Sequence, residues 1–182
     1  MTKDLPPPEL LRQLLRYEPE TGKLFWKNRS VDMFSEGKQP VEMTCFHWNR
    51  TWGGKEAFTA NDGNGYKQGR IFSRGYRAHR VIWAIVYGYW PNEVDHINGI
   101  RSDNRICNLR DVDRTDNCRN ISMRSNNTSG AVGVSWDRYY GKWHSRIRDI
   151  HIGYYDEFDD AVEARRLAEL EHGFHPNHGR LP

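Results

Sequence analysis

Apolar residues in this chain come in short bursts, and no burst is long enough to seed one large core. Leu10, Leu11, Leu14 and Leu15 form the first; Val81, Ile82, Ile85 and Val86 form another; Phe158, Ala161, Val162 and Ala168 form the last. Each recurs at helical spacing. Hydrophobic residues make up 37% of 182 residues and the mean hydropathy is −0.89, which suits small modules with separate cores. Aromatic residues reach 13%, seven of them Trp and nine Tyr, which argues against a disordered chain. No run of about 18 apolar residues exists, and Met1-Thr2-Lys3-Asp4 does not open a secretory leader. The expectation is a cytoplasmic protein, neither secreted nor held in a membrane. Cys45, Cys107 and Cys118 are odd in number and lack CxxC spacing, so they read as reduced thiols.

Along the chain, the patterning predicts four segments. Residues 1–60 give a helix through the leucine cluster, a turn at 17–22, a strand from Lys23 to Lys27 and then an irregular arm with one short strand at most. Residues 61–122 give a β-hairpin over 66–78 with its turn at Ser73-Arg74-Gly75 and a helix from His79 to Tyr87 ended by Gly88. A short strand at Val94–Ile97 and a return strand at Asn108-Leu109-Arg110 follow, then a helix from about Arg114 to Ile121. Residues 123–130 have linker composition. Residues 131–182 give three strands and one helix, a three-stranded antiparallel sheet packed on a single helix, with a solvated histidine-rich tail. The fold class is α+β.

The most informative stretch is Val94-Asp95-His96-Ile97-Asn98-Gly99, continued by Asn108-Leu109-Arg110 and by Asp116-Asn117-Cys118-Arg119-Asn120. Asn108 and Asn117 stand twelve and twenty-one residues after His96. At these residues, and through the lead-in Tyr76-Arg77-Ala78-His79-Arg80-Val81-Ile82-Trp83, the chain resembles the HNH nucleases of the ββα-metal class. Within them it is most similar to homing endonucleases borne by bacteriophages and introns. The resemblance covers about residues 60 to 122. It implies an Asp-His pair at the end of one strand, an Asn near the second strand and an Asn on the following helix.

The chemistry of phosphodiester hydrolysis needs those residue types. An attacking water must lose a proton, and the phosphorane and the leaving oxyanion need counter-charge. His96, with an ordinary pKa near 6.5, accepts a proton at neutral pH. Asp95 and Asn117 are hard oxygen donors suited to one divalent metal, Mg²⁺ in the first instance or Mn²⁺, completed by the DNA phosphate. The resemblance implies that Asn108 orients His96 or pins the loop. His79 stands between a structural role and a contact to the substrate phosphate, with Arg80 beside it as a second phosphate contact.

The net charge of +3 is unremarkable, but its distribution is not. Asp156 to Glu171 carries seven acidic residues against Arg165 and Arg166, whereas the sheet segment before it carries Arg138, Lys142, Arg146 and Arg148. Strand alternation places Trp143, Ser145 and Ile147 on one face and His144, Arg146 and Arg148 on the other. Val132-Gly133-Val134, Gly141 to Arg148, Ile152-Gly153-Tyr154-Tyr155 and the Ala-rich helix resemble the AP2 DNA-binding domain over about residues 128 to 172. That resemblance departs from the plant pattern at Ser135-Trp136-Asp137-Arg138. It implies duplex DNA as partner, contacted by Arg138, Lys142, Trp143, His144, Arg146 and Arg148.

The reading is therefore a site-specific, homing-type DNA endonuclease that nicks or cuts both strands, a phosphodiester hydrolase acting as a monomer or, for double-strand cutting, as two assembled chains. The rivals are a DNA-binding regulator with an inactive nuclease unit and an RNA-directed nuclease. The second is disfavoured because a sheet of this kind cannot enter the deep, narrow major groove of A-form RNA.

Overall fold

The computed structural model describes residues 5–113, 123–174, 176 and 178–179. The helix expected from about Arg114 to Ile121 lies outside the described residues. By chain contacts the molecule divides into two units, Met1–His96 with Ile100–Asp111, and Ile97–Gly99 with Val112–Pro182. No helix among the described residues is long and apolar enough to cross a membrane.

In the first unit, α1 (Pro8–Leu14) starts on a proline, whose fixed φ suits the first helical turn. It buries Leu11 and Leu14 completely. The chain passes directly into β1 (Leu15–Glu18), which pairs antiparallel with β2 (Lys23–Trp26), Leu15 opposite Trp26. The turn expected at 17–22 spans 19–22, because Tyr17 and Glu18 still pair as strand residues. Gly22 closes this hairpin with φ +70°, and a Cβ there would stand 2.6 Å from the backbone nitrogen of Arg105. Both the turn and the approach of that second loop exclude a side chain.

The segment read as an irregular arm holds the short strand allowed there, β3 (Glu56–Ala57), which extends the first sheet, and also a helix the pattern did not predict, the twelve-residue α2 (Val41–Trp52). The pattern concealed the helix because only Cys45 on it is buried, while Met43, Phe46 and Trp52 are exposed. With no apolar stripe turned to a core, helical periodicity is weak.

A second antiparallel sheet follows, β4 (Ala60–Asn61), β5 (Lys67–Ile71) and β6 (Arg74–Arg77) in that order. Its hairpin turn is Phe72-Ser73, not Ser73-Arg74-Gly75 as the composition suggested. Then α3 (Ala78–Tyr87) buries Ala78, His79, Val81, Ile82, Trp83 and Ala84 and ends at Gly88 with φ +78°, the left-handed cap that glycine provides without strain. Finally β7 (Glu93–His96) and β8 (Leu109–Val112) form a two-stranded sheet. Leu11, Leu14, Leu15, Leu24, Ile71, Val81, Ile82, Val94 and Leu109 share one core. Each large side chain buried there contributes about 1.5–3 kcal/mol, so the N-terminal helix and hairpin are part of the body that carries β7.

In the second unit, β9 (Val134–Asp137), β10 (Lys142–Ile147) and β11 (Ile150–Tyr155) form an antiparallel meander with β10 in the centre. The helix α4 (Phe158–Glu171) packs on it. Val134, Ser145, Ile147 and Ala161 are buried between sheet and helix. The predicted architecture of three strands on one helix is therefore present. The stretch 123–130 is a turn knotted by side chains: Asn127 Oδ1 accepts the Gly130 N–H at 2.7 Å and Asn127 Nδ2 donates to the Ala131 carbonyl at 3.0 Å. The tail is not wholly solvated. The His178 side chain is 3% exposed, near Glu169, and its ring meets Phe174 edge-on at 4.7 Å.

Candidate active site

Asp95 and His96 are the last two residues of β7, and both are buried. A strand end fixes the backbone of both residues while leaving their side chains at the mouth of the following loop. The His96 Nε2 stands 3.1 Å from Oδ1 of Asn104, which is itself buried. Because a carboxamide oxygen only accepts, this pair sets the tautomer: Nε2 carries the proton and the lone pair lies on Nδ1. Asp95 Oδ2 accepts two hydrogen bonds from Arg110 on β8, from Nε at 3.0 Å and Nη2 at 2.7 Å.

Asn104 is held in place from two sides. Its backbone carbonyl accepts from the Tyr17 hydroxyl at 3.2 Å, and the same hydroxyl accepts the Ile106 N–H at 2.8 Å. Asn108 Nδ2 donates to the Asp103 carbonyl at 2.8 Å, the arrangement of a loop pin. Burial raises the Tyr17 hydroxyl pKa, so it remains a neutral donor at working pH. As sequence alone, Asp103, Asn104 and Asn98 read as turn residues, and nothing there gives Arg110 or Tyr17 a role. Asp103-Asn104 has the composition of a self-closing turn, and the pairing with His96 arises only when the loop folds back. The remaining signal was the close approach of Gly22 to this loop, which sequence does not display.

His79, from the first turn of α3, is 3% exposed and its ring meets His96 edge-on at 5.0 Å and Tyr66 at 5.1 Å. Its Nδ1 is buried without a hydrogen-bond partner among the described residues. Burial first, then the neighbouring His96, Arg77 and Arg80, pushes its pKa down to about 3. Burial also lowers the pKa of His96, opposed by the Asn104 hydrogen bond and by Asp95. Both rings are therefore neutral near pH 7, and a buried neutral ring at 79 backs the imidazole of 96. Arg80 donates to the Pro91 carbonyl at 2.9 Å and the Asn92 carbonyl at 3.2 Å, so it clamps the approach to β7.

A pH dependence of stability follows. The unfolded chain takes a proton on residue 79 near pH 6.5, the folded chain only near 3. The stabilisation is complete above about 6.5 and declines as pH falls toward 3, by up to about 1.4 kcal/mol per pH unit. Urea unfolding between pH 7 and 4 should show this slope, and His79→Phe should flatten it. An equal slope in the variant would assign the titration to other groups.

The expected DNA-contacting residues divide between surfaces. His144 and Arg146 lie on the outer side of β10, where the His144 ring stacks on His151 and Tyr154, each at 5.0 Å. Arg138 is exposed in the β9–β10 turn. Lys142 is ion-paired with Asp156 at 3.0 Å. Trp143 is on the other side, where it meets Phe158 of α4 edge-on at 4.7 Å and so packs the sheet on its helix. Arg148 is not on the strand. The register shifts between Ser145 and Arg146, β10 ends at Ile147, and Arg148 turns with φ +53°, its guanidinium 5.9 Å from the centre of the Phe174 ring.

Asn117 lies outside the described residues. Among the described residues no group of three or more His, Cys, Asp or Glu gathers at one point. The donors that do stand here, the Asp95 carboxylate beside a neutral imidazole, fit a hard cation held by few protein oxygens and completed by substrate and water. They do not fit a thiolate or multi-histidine zinc site.

Comparison with known proteins finds a family likeness over the elements that carry these residues. Residues 76–119, which span the end of β6, α3, β7 and β8, match the family model described as HNH endonuclease. Protein 3.8 of Escherichia phage T7 is 31% identical over 84 residues, covering 45% of this chain and 67% of that protein. No solved structure matches.

Proposed function

The chain belongs to the family that includes phage T7 Protein 3.8 and carries an HNH endonuclease segment, and from this we propose that it is a divalent-metal-dependent DNA endonuclease of the homing type. The observation that carries the reading is the buried His96 whose Nε2 is tied to Asn104, beside Asp95 at the end of one strand. In this reading Nδ1 of His96 takes the proton from water as the water oxygen attacks phosphorus. The bond from phosphorus to the leaving sugar oxygen then breaks, and that oxygen is protonated by solvent. Asp95 and Asn117 would hold Mg²⁺, which supplies positive charge to the phosphorane and the leaving oxygen. Arg110 orients the Asp95 carboxylate, and Asn108 and Tyr17 hold the loop that bears Asn104.

The AP2-like assignment of β9–β11 belongs to the same proposal. The outer side of that sheet, with His144 and Arg146, and the β9–β10 turn that carries Arg138 are positive and flanked by aromatic rings, and two strands or a small sheet can enter the major groove. Action inside the cell on DNA goes with this substrate. One such site per chain suits nicking by a monomer, while cutting both strands calls for two chains.

The experiment is incubation of the full chain with linear duplex DNA or duplex RNA, each with Mg²⁺ and with chelator. Metal-dependent cleavage of DNA alone supports the reading. Binding without cleavage supports the rival regulator, and cleavage of RNA in preference to DNA overturns the substrate class. For the sheet, Arg146→Ala should cost about 1–3 kcal/mol at one base pair and relax preference there. Arg138→Ala should instead weaken binding across sequences and lower the salt slope by about one. Salt-dependent titrations of a preferred and a scrambled duplex separate these outcomes. If neither variant changes affinity, the sheet does not contact DNA.

A further inference from the structure

A groove of about 670 Å³ opens in the first unit between α2, β3 and the β5–β6 hairpin, apart from His96 and its partners. Trp26, Trp48, Trp52 and Phe72 wall it, with Arg29 and Arg70 among them. Trp52 and Phe72 stand half-exposed at its rim, and Phe58 forms part of its lining. The Phe58 ring lies so close to Gly69 that a Cβ there would meet it at 2.8 Å, so the ring lies flat against bare backbone.

The central group is Arg29. Its guanidinium carbon lies 3.8 Å from the centre of the Trp48 ring, 5.5 Å from Trp26 and 5.7 Å from Phe72. Among the described residues its Nε is buried without a hydrogen-bond partner and no carboxylate pairs with it. Glu56, the acidic residue in the lining, is bound to Lys23 at 2.8 Å. A half-buried cation held only by ring faces is under-compensated, and an anion brought into the groove would complete it.

Backbone strain marks the same place. Phe72 and Ser73 form a two-residue hairpin turn with φ +47° and +66°. Positive φ at both positions is the geometry that Asn-Gly serves and that a bulky residue enters at a cost. The hairpin keeps a phenylalanine there and turns it half out to solvent. Strain of this kind persists where surrounding structure or function demands it.

Flat aromatic faces, an unpaired guanidinium and a second exposed arginine together match a base with its phosphate. We propose that this groove binds an unpaired nucleotide of a DNA strand, the base stacked against the Trp and Phe rings and the phosphate on Arg29 and Arg70. The proposal rests on the reading of DNA as substrate. It adds a second contact, one that senses a displaced or single-stranded nucleotide rather than the intact duplex.

The test measures binding in chelator, so it does not depend on cleavage. A fluorescent single-stranded DNA oligonucleotide, the blunt duplex of the same sequence and the matching single-stranded RNA are titrated with the full chain and with Phe72→Asn and Arg29→Gln. The expected result is that each variant loses about fivefold to about a hundredfold in affinity for the single strand, the range of one base–aromatic stack. Blunt duplex binding should stay within about twofold. Phe72→Asn should also unfold at the same or a higher temperature, because asparagine tolerates the left-handed turn. A merely structural role for Phe72 predicts the opposite, lower melting with unchanged affinity. The proposal is overturned if the parent chain does not bind single-stranded DNA, if both variants bind it within about twofold of the parent, or if duplex affinity falls equally. A loss confined to RNA also overturns it. Single-strand binding that depends on Phe72 in a chain that never cleaves DNA would uphold the groove and refute only the nuclease reading.

Discussion

Replacing His96 with alanine should reduce metal-dependent DNA cleavage by about 10² to 10⁴ while leaving DNA affinity within about twofold. The imidazole is buried, neutral and tied through Nε2 to Asn104, so its service is to the chemical step rather than to the phosphate backbone. Asn104→Ala probes the same assignment from behind. It frees Nε2, removes the group that fixes the tautomer, and should lower the rate by less than loss of the ring itself. Single-turnover rates with saturating protein separate the two variants from any loss of binding. Cleavage by His96→Ala within tenfold of the parent would contradict its role as the base.

Asp95→Asn should raise the Mg²⁺ concentration for half-maximal cleavage by at least about tenfold. The substitution keeps the shape of the side chain and removes the charge that both Arg110 and a metal would use. These two partners make different demands. If Asp95 serves the metal, Arg110→Ala leaves the carboxylate in place and shifts the metal requirement by less than Asp95→Asn. If Asp95 serves only as the partner of Arg110, both variants should lose stability alike, with no change in metal requirement. Metal titrations of the cleavage rate, paired with thermal melts of the same preparations, distinguish the two.

The parts of this molecule legible in the sequence are those where one face of an element meets one core. The stripe through Val81 and Ile82, with Gly88 after it, gave α3 almost to the residue. Alternation gave the inward set Ser145 and Ile147 on β10. The Asp95-His96 pair at the end of β7 was legible through the resemblance to the HNH nucleases, whereas local patterning ran the strand on to Ile97. What escaped depends on contacts distant in sequence or on turns that break a period. α2 escaped because it turns so few residues inward, and its aromatic side chains line a groove instead. Asn104 and Tyr17 stand 87 residues apart, and no local pattern joins them. Arg148 was counted with the strand because alternation continues on paper past the shifted register and the left-handed turn that take it away.

The groove and the His96 site make separate demands on DNA, one for an unpaired nucleotide and one for a phosphodiester beside a metal. Supercoiled circles offer both, since negative supercoiling favours local strand opening. The most direct test of the central claim is therefore a time course of purified protein on supercoiled DNA, with Mg²⁺ and with chelator. Nicked circles, with linear product following if two chains assemble, should appear only where Mg²⁺ is present. Circles that stay fully supercoiled in Mg²⁺ while the protein is bound to them would contradict it.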